Sequence, residues 1–111
     1  MNQPITFEDF NKVDLRIGTI VAVRDFPEAR QPAYQLTIDF GKLGTKKTSA
    51  QITRLYKKED LLQKQIVAVV NFPKKQIANI MSECLLLGAV NGKDIILLEP
   101  EEKVLNGTVF G

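Results

Sequence analysis

The chain has 111 residues, of which 44% are hydrophobic and 25% charged, and its formal net charge is +2. That length suits one domain with one core, and the composition excludes disordered, collagen-like and coiled-coil proteins. No apolar run is long enough to cross a bilayer, and the first residues lack the basic start and apolar stretch of a signal peptide. The lone cysteine, Cys84, cannot form an intramolecular disulfide. We therefore expect a cytoplasmic protein without membrane insertion.

The residue types that are missing exclude most catalytic chemistry. The sequence contains no histidine, which removes Ser-His-Asp and Cys-His pairs and the side chain best suited to proton transfer near neutral pH. One cysteine cannot complete a cysteine-rich zinc site, and no acidic residues follow EF-hand spacing. No phosphate-binding P-loop is present either. We expect no metal, no cofactor and no enzymatic activity.

The charges are unevenly distributed along the chain. Residues 42–75 carry a net charge of +7, whereas residues 1–41 carry −2 and residues 76–111 carry −3. A basic middle between acidic ends favours a face that binds phosphates or an acidic partner. The alternative is that these lysines form a solvated face that keeps a small domain soluble.

The first elements in chain order are a short helix and a long strand. Thr6 and Asp9 have the spacing of a capping box, which predicts a helix that begins after Thr6. Residues 15–26 alternate in the manner of a strand. Gly18 lies inside this strand and predicts a bulge or a sharp bend, as in strands that curl around a barrel.

The rest of the chain alternates between short strands and turns. A loop is predicted at 26–32 and again around Pro73, and a helical turn is predicted at 53–62. Strands are predicted at 34–40, 45–52, 65–71, 81–90 and 95–98, with a terminal strand at 104–110. This order predicts an all-β protein, namely a β-barrel with short helices. The OB-fold, a small Greek-key barrel, is the leading candidate.

The segment that follows the apolar strand at 65–71 combines several residue types that bind ligands. Asn71 is polar, Phe72 is aromatic, and Lys74 and Lys75 are adjacent cations. Lysines contact phosphates and an exposed aromatic ring can stack on an unpaired base. Alternatively, the segment is a solvated loop in which Phe72 turns into the core.

Three segments of the sequence resemble motifs of a known family. Residues 14–20, Asp-Leu-Arg-Ile-Gly-Thr-Ile, resemble the opening D-L-R-V-G-x-I of the tRNA-binding OB domain. Residues 71–75 and 80–86 resemble its N-L-x-P-x-K/R and M-x-S-E-G-M-L-L segments. That domain occurs at the C-terminus of many methionyl-tRNA synthetases, at the start of a phenylalanyl-tRNA synthetase chain and as free-standing proteins. The resemblance extends over about residues 7–110, and it implies an OB-fold.

The first loop distinguishes two branches of this family. The synthetase appendages usually carry H-P-x-A-D-K-L there, whereas residues 26–34 of this chain place Phe26 at the histidine position and are one residue longer. The sequence is more similar to the branch of small chaperones of protein export. This resemblance implies a homodimeric, ATP-independent chaperone that binds unfolded or precursor proteins, with the export machinery as a further partner. The alternative is a tRNA-binding protein with little base specificity.

The family resemblance also implies specific positions for binding and for dimerisation. It implies a barrel at about 14–90 and subunit contacts through segments 1–13 and 94–111. The implied ligand-binding residues are Arg16, Ser49, Gln51, Asn71, Phe72, Lys74, Lys75, Met81 and Ser82. The implied interface residues, which are more apolar than terminal extensions need to be, are Phe7, Phe10, Ile95, Val104, Val109 and Phe110.

Overall fold

The computed structural model describes residues 2–111, and its first helix begins where the capping box predicts. Helix α1 spans Phe7–Asn11. The Asp9 amide donates to the Thr6 hydroxyl at 3.1 Å, and the Thr6 amide donates to the Asp9 carboxylate at 3.3 Å. These two bonds satisfy amides that the first turn leaves without helical partners. The helical turn predicted at 53–62 contains helix α2, Lys58–Leu61, which a turn at residues 53–55 precedes.

Short strands make up most of the remaining fold. A 3-10 turn at Gly41–Leu43 joins the second strand to the third. The strands are β1 Leu15–Asp25, β2 Tyr34–Asp39, β3 Thr45–Ala50, β4 Gln65–Val69, β5 Lys75–Ile77, β6 Ile80–Ser82, β7 Leu85–Leu86, β8 Gly88–Asn91 and β9 Asp94–Leu97. None of the helices within residues 2–111 is long and apolar enough to cross a membrane.

The main sheet curls into a nearly closed barrel. Its strand order is β3-β2-β1-β4-β7, and every neighbouring pair is antiparallel. The seam between β3 and the chain after β6 is joined at Lys47, whose carbonyl accepts a bond from the Glu83 amide at 2.8 Å. With a small helix between β3 and β4, this is the Greek-key connectivity of the OB-fold. The predicted all-β barrel with short helices is confirmed.

The interior of the barrel holds the main core. Ile20, Leu36, Ile38, Phe40, Leu61 and Ile66 are among its fully buried members. Gly18 is regularly paired with Ile66, and the ladder irregularity lies two residues later, between Ile20 and Ala22. A side chain at Gly18 would lie 2.6 Å from Ile38 and 2.7 Å from Phe40. The predicted bulge at Gly18 is therefore wrong, and the glycine instead makes room for core packing.

Strand β4 and the first half of β1 are buried on both faces. Leu15, Ile17, Val67 and Val69 form a second apolar cluster, separate from the barrel core, against which Leu87 packs. The first residues of β1 do not pair with β2, and there the C-terminal segment lies along the edge of β1. The Gly107 amide donates to the Ile17 carbonyl at 2.7 Å. A regular strand at 104–110 was the wrong prediction, since the segment forms only an isolated bridge between Arg16 and Val109.

The region 73–90 departs most from the predicted elements. The predicted loop contains β5, which forms a hairpin with β6 through the pairs Lys75–Ser82, Gln76–Met81 and Ile77–Ile80. The predicted strand at 81–90 is divided into β6, β7 and β8. The division follows from barrel closure, because the chain leaves β6 at Glu83 to meet β3 and then crosses to β4.

Candidate functional site

A groove of about 700 Å³ lies beside the end of β3. Its walls are the loop between β1 and β2 at residues 28–33, the polar side chains Ser49 and Gln51, and residues 75–78 of the β5–β6 hairpin. OB-folds bind ligands on the face of their second and third strands, between the loops that flank it. The groove therefore occupies the position at which this architecture ordinarily binds a ligand. Predicted residues Ser49, Gln51 and Lys75 meet in it.

An apolar pocket of about 260 Å³ adjoins this groove, since Lys75 lines both. Its other walls are Phe72, Pro73, Ser82, Cys84 and Leu85. The Phe72 side chain is 56% exposed, so it does not turn into the core. This exposure excludes burial of Phe72 in the core, and it leaves an aromatic ring available at the edge of the pocket.

The exposed face of the sheet carries polar rows that continue the groove. Strand pairing aligns Arg24 on β1 with Gln35 on β2 and Ser49 on β3. The next row aligns Ala22, Thr37 and Lys47 in the same way. A cavity of about 280 Å³ lies on these rows and includes Arg24 and Lys47. Hydrogen-bonding groups and cations thus extend across three strands.

The cations of this face fall into two groups. Lys74 lies 3.6 Å from the carboxylate of Glu83 and forms an ion pair with it. Within residues 2–111, no carboxylate pairs with Arg24, Arg30, Lys47 or Lys75, all of which line the groove or the adjoining cavity. Glu28 also lines the groove and forms no ion pair within residues 2–111, so these four cations and this one carboxylate together determine the potential of the face.

The sequence predicted that Arg16 and Asn71 bind ligand, but neither lines the groove. Their side chains instead form hydrogen bonds with segments near the two ends of the chain. The Arg16 guanidinium donates to Asp14 at 2.6 Å, which raises its pKa, and to the Gly107 carbonyl at 3.0 Å. Asn71 accepts a bond from the Asp14 amide and donates one to the Lys12 carbonyl. Arg16 lines a different cavity, between residues 40–43 and 105–108. The structure thus does not bring these two residues together with Ser49 and Gln51.

Met81 and Ser82 lie on β6, the second strand of the hairpin. The Ser82 hydroxyl lies 2.9 Å from that of Thr48, which is buried and donates to the Cys84 carbonyl at 2.7 Å. Ser82 therefore supports the seam of the barrel as well as lining the apolar pocket. Met81 is partly exposed opposite Gln76 and adds adaptable apolar surface to the hairpin.

Sequence reasoning did not single out Arg24, Arg30, Gln35 or Lys47 as site residues. Lys47 was counted in the basic middle segment, but Arg24 and Arg30 belong to the acidic first segment. In each of these strands every second side chain points to the exposed face of the sheet, and the polar residues at those positions were the available signal. Which of them lie side by side on the ligand-binding face becomes clear only when the strand pairing is known.

The residues predicted for dimerisation lie at the ends of the chain and differ in exposure. Phe7 and Val109 are largely exposed, whereas Phe10, Val104 and Phe110 are partly exposed. Ile95 packs against the main core of its own chain. In the part of the chain that the structure describes, no group of three side chains could hold a metal ion.

Comparison with known sequences places this fold in a family. The family described as "putative tRNA binding domain" matches residues 15–109. The chain belongs to this family. The methionine–tRNA ligases of Pyrococcus horikoshii and Pyrococcus furiosus are relatives, 37% and 39% identical over 93% and 95% of this chain. The chain spans only 14% of the length of each ligase, so the family domain is a small part of those enzymes.

Two solved structures match nearly the whole chain. The chaperone CsaA from Bacillus anthracis is 52% identical, with a TM-score of 0.93 over 98% of this chain and 100% of that one. The CsaA chaperone from Picrophilus torridus is 51% identical, with a TM-score of 0.91 over 97% and 100%. The predicted resemblance to small chaperones of the tRNA-binding domain family is therefore confirmed.

Proposed function

We propose that this protein is a homodimeric chaperone that binds segments of unfolded or precursor polypeptides in the cytoplasm and hands them to the export machinery. The observation that carries the proposal is the similarity to CsaA chaperones, which this chain matches over their entire length. The chain matches only a small fraction of the length of the tRNA ligases. The protein acts by binding alone, without ATP, because the sequence has no P-loop.

The groove and the apolar pocket suit an extended polypeptide. Gln35, Ser49 and Gln51 offer hydrogen bonds to main-chain groups, which every unfolded segment presents. The neighbouring pocket at Phe72 and Leu85 accepts an apolar side chain of the kind that folded proteins bury. A face that combines both contacts binds many sequences with modest affinity, as a chaperone requires.

The two chain ends support the homodimer. Phe7 is 86% exposed, and Val109 and Phe110 extend along β1 next to the apolar cluster on the outer face of β1 and β4. A twofold axis would bury these exposed apolar side chains against their copies in a second chain. Such a dimer would carry two binding faces.

A second candidate function is structure-directed tRNA binding, with little base specificity. The unpaired Arg24, Arg30, Lys47 and Lys75 favour it, because cations free of intramolecular partners can neutralise phosphates. Phe72 could stack on an unpaired base at the end of this basic stripe. The two candidates share one face, so they predict competition between their ligands.

A competition experiment tests both candidates. Binding of labelled bulk tRNA is measured across a salt series, with reduced and carboxymethylated α-lactalbumin as a permanently unfolded competitor. We expect the unfolded chain to bind and to displace the tRNA. Tight and salt-steep tRNA binding that the competitor cannot displace would contradict the chaperone proposal and favour the second candidate.

A pair of variants then locates the face. Phe72→Ala should weaken binding of the unfolded protein several-fold, because it removes a wall of the apolar pocket. Leu55→Ala is the matched control, since Leu55 is similarly exposed but lines none of these cavities. Equal affinities of the two variants would mean that the pocket is not used.

A further inference from the structure

Lys74 and Lys75 are adjacent in sequence but have different surroundings. Successive side chains of an extended segment point to opposite sides. Lys75 lines both the groove and the apolar pocket. Lys74 lines neither of them, and its ammonium lies 3.6 Å from a carboxylate oxygen of Glu83. The two lysines therefore do not present their charges to a ligand in the same way.

Glu83 is held in place from its other side. One of its carboxylate oxygens accepts a hydrogen bond from the Lys47 amide at 2.9 Å, and its own amide donates to the Lys47 carbonyl at 2.8 Å. Its side chain is only 25% exposed, whereas the Lys74 side chain is 65% exposed, so the anchored partner of the pair is the carboxylate. An ordinary surface ion pair costs the conformational entropy of two mobile side chains. Here the hydrogen bond to Lys47 already fixes the carboxylate, so pairing costs mainly the entropy of the lysine side chain.

We infer that Glu83 is a positioning residue that keeps Lys74 from contacting anionic ligands. The binding face then offers a polyanion one cation fewer than the basic segment 71–75 suggests. This lowers its affinity for nucleic acid without changing the hydrogen-bonding groups and the apolar pocket that suit polypeptide. The inference rests on the proposed use of the groove as the binding face, and it makes Glu83 a determinant of ligand class.

The salt dependence of polyanion binding can count the cations in use. Each phosphate neutralised by a protein cation contributes about 0.7–0.9 to the slope of log affinity against log salt concentration. With bulk tRNA as the polyanion, we expect Lys75→Gln to lower the slope by that amount and Lys74→Gln to leave it unchanged. Glu83→Gln should raise the slope by a similar amount, because it frees Lys74.

A double-mutant cycle separates release of Lys74 from a general loss of negative charge. In a Lys74→Gln background, Glu83→Gln should no longer raise the slope. Glu28→Gln is the control, since Glu28 lines the groove but forms no ion pair within residues 2–111, and its effect should be the same with or without Lys74. In Glu83→Gln the side-chain amide oxygen can still accept the bond from the Lys47 amide, and thermal melting checks that the variant folds.

Several outcomes would overturn the inference. The first is that Lys74→Gln and Lys75→Gln lower the salt slope by the same amount. The second is that Glu83→Gln still raises the slope when Lys74 has been replaced. The third is that no variant binds tRNA even at low salt. If Glu83→Gln does not fold, the comparison of the two lysine variants decides alone. The same proteins are tested for binding of carboxymethylated α-lactalbumin. Failure of the wild type there would contradict the chaperone proposal, whereas the salt slopes would still decide the role of Glu83.

Discussion

Asn71 fastens the segment that precedes β1 to the end of β4 through its contact with Asp14. The Asn71 side-chain oxygen accepts a hydrogen bond from the Asp14 amide at 2.9 Å. Its side-chain nitrogen donates to the Lys12 carbonyl at 2.6 Å. Because Arg16 in turn joins Asp14 to the Gly107 carbonyl, these side chains connect both ends of the chain to the barrel.

The first prediction follows from this arrangement. Asn71→Ala removes two side-chain hydrogen bonds and should lower the free energy of unfolding by about 1–2 kcal/mol. Urea denaturation measures the change. Gln51→Ala is the control, since Gln51 is an exposed amide of the groove and its loss should affect binding more than stability. If Asn71→Ala kept its stability and lost ligand binding, Asn71 would be a ligand contact after all.

The sequence predicted the barrel well because strand alternation and turn residues are local properties. Thr6 and Asp9 identified the start of α1, and the alternation from Leu15 identified β1. The division of the chain into β6, β7 and β8 was not predictable in this way. It arises because residues near Glu83 pair with Lys47, which is far away in sequence, and local pattern contains no information on that contact.

The candidate site was predicted only in part, for a related reason. Ser49, Gln51 and Lys75 meet in one groove as expected. The family motif also contains polar residues such as Arg16, whose partners are other segments of the same chain. A motif records which residue types recur, but whether such a residue faces a ligand or a distant segment depends on the tertiary fold.

The second prediction concerns the packing at Gly18. Gly18→Ala would place a methyl group 2.6 Å from Ile38 and 2.7 Å from Phe40, which is well inside van der Waals contact. Overpacking of this kind should destabilise the protein by about 1–3 kcal/mol. The midpoint of urea denaturation measures the loss. Gly111→Ala is the control, because nothing lies within 4 Å of the added carbon there; equal midpoints for the two variants would contradict the close packing.

The third prediction concerns the thiol of Cys84. Burial raises its pKa from 9.0 to about 12, so the folded protein carries a neutral thiol there at physiological pH. Since the thiolate is the nucleophile, Cys84 should react with a disulfide reagent only when the chain unfolds. Reaction rates with and without denaturing urea measure this. Rapid reaction of the native protein would contradict this and show that the reagent reaches the thiol through the pocket that Cys84 helps to line.

The same raised pKa gives a direction for the dependence of stability on pH. Below about pH 9 the thiol is protonated in both the folded and the unfolded chain, and it contributes no pH dependence. Between about pH 9 and 12 the unfolded chain loses this proton while the folded chain keeps it. Loss of the proton stabilises the unfolded chain relative to the folded one. The contribution of Cys84 therefore lowers the free energy of unfolding as pH rises through this range. In urea denaturation, the free energy of unfolding of Cys84→Ala should fall less between pH 9 and 12 than that of the wild type.

The fourth prediction tests the proposed dimer. Phe110 is 44% exposed, and its amide donates to the Leu15 carbonyl at 2.9 Å, which places its backbone beside the start of β1. Phe110→Asp would place a charge where a second copy must pack, and burying an unpaired charge is costly. Sedimentation velocity should therefore show a shift from dimer to monomer. Leu62→Asp, at an exposed leucine after α2, should remain dimeric. A Phe110→Asp variant that stayed fully dimeric would place the interface elsewhere.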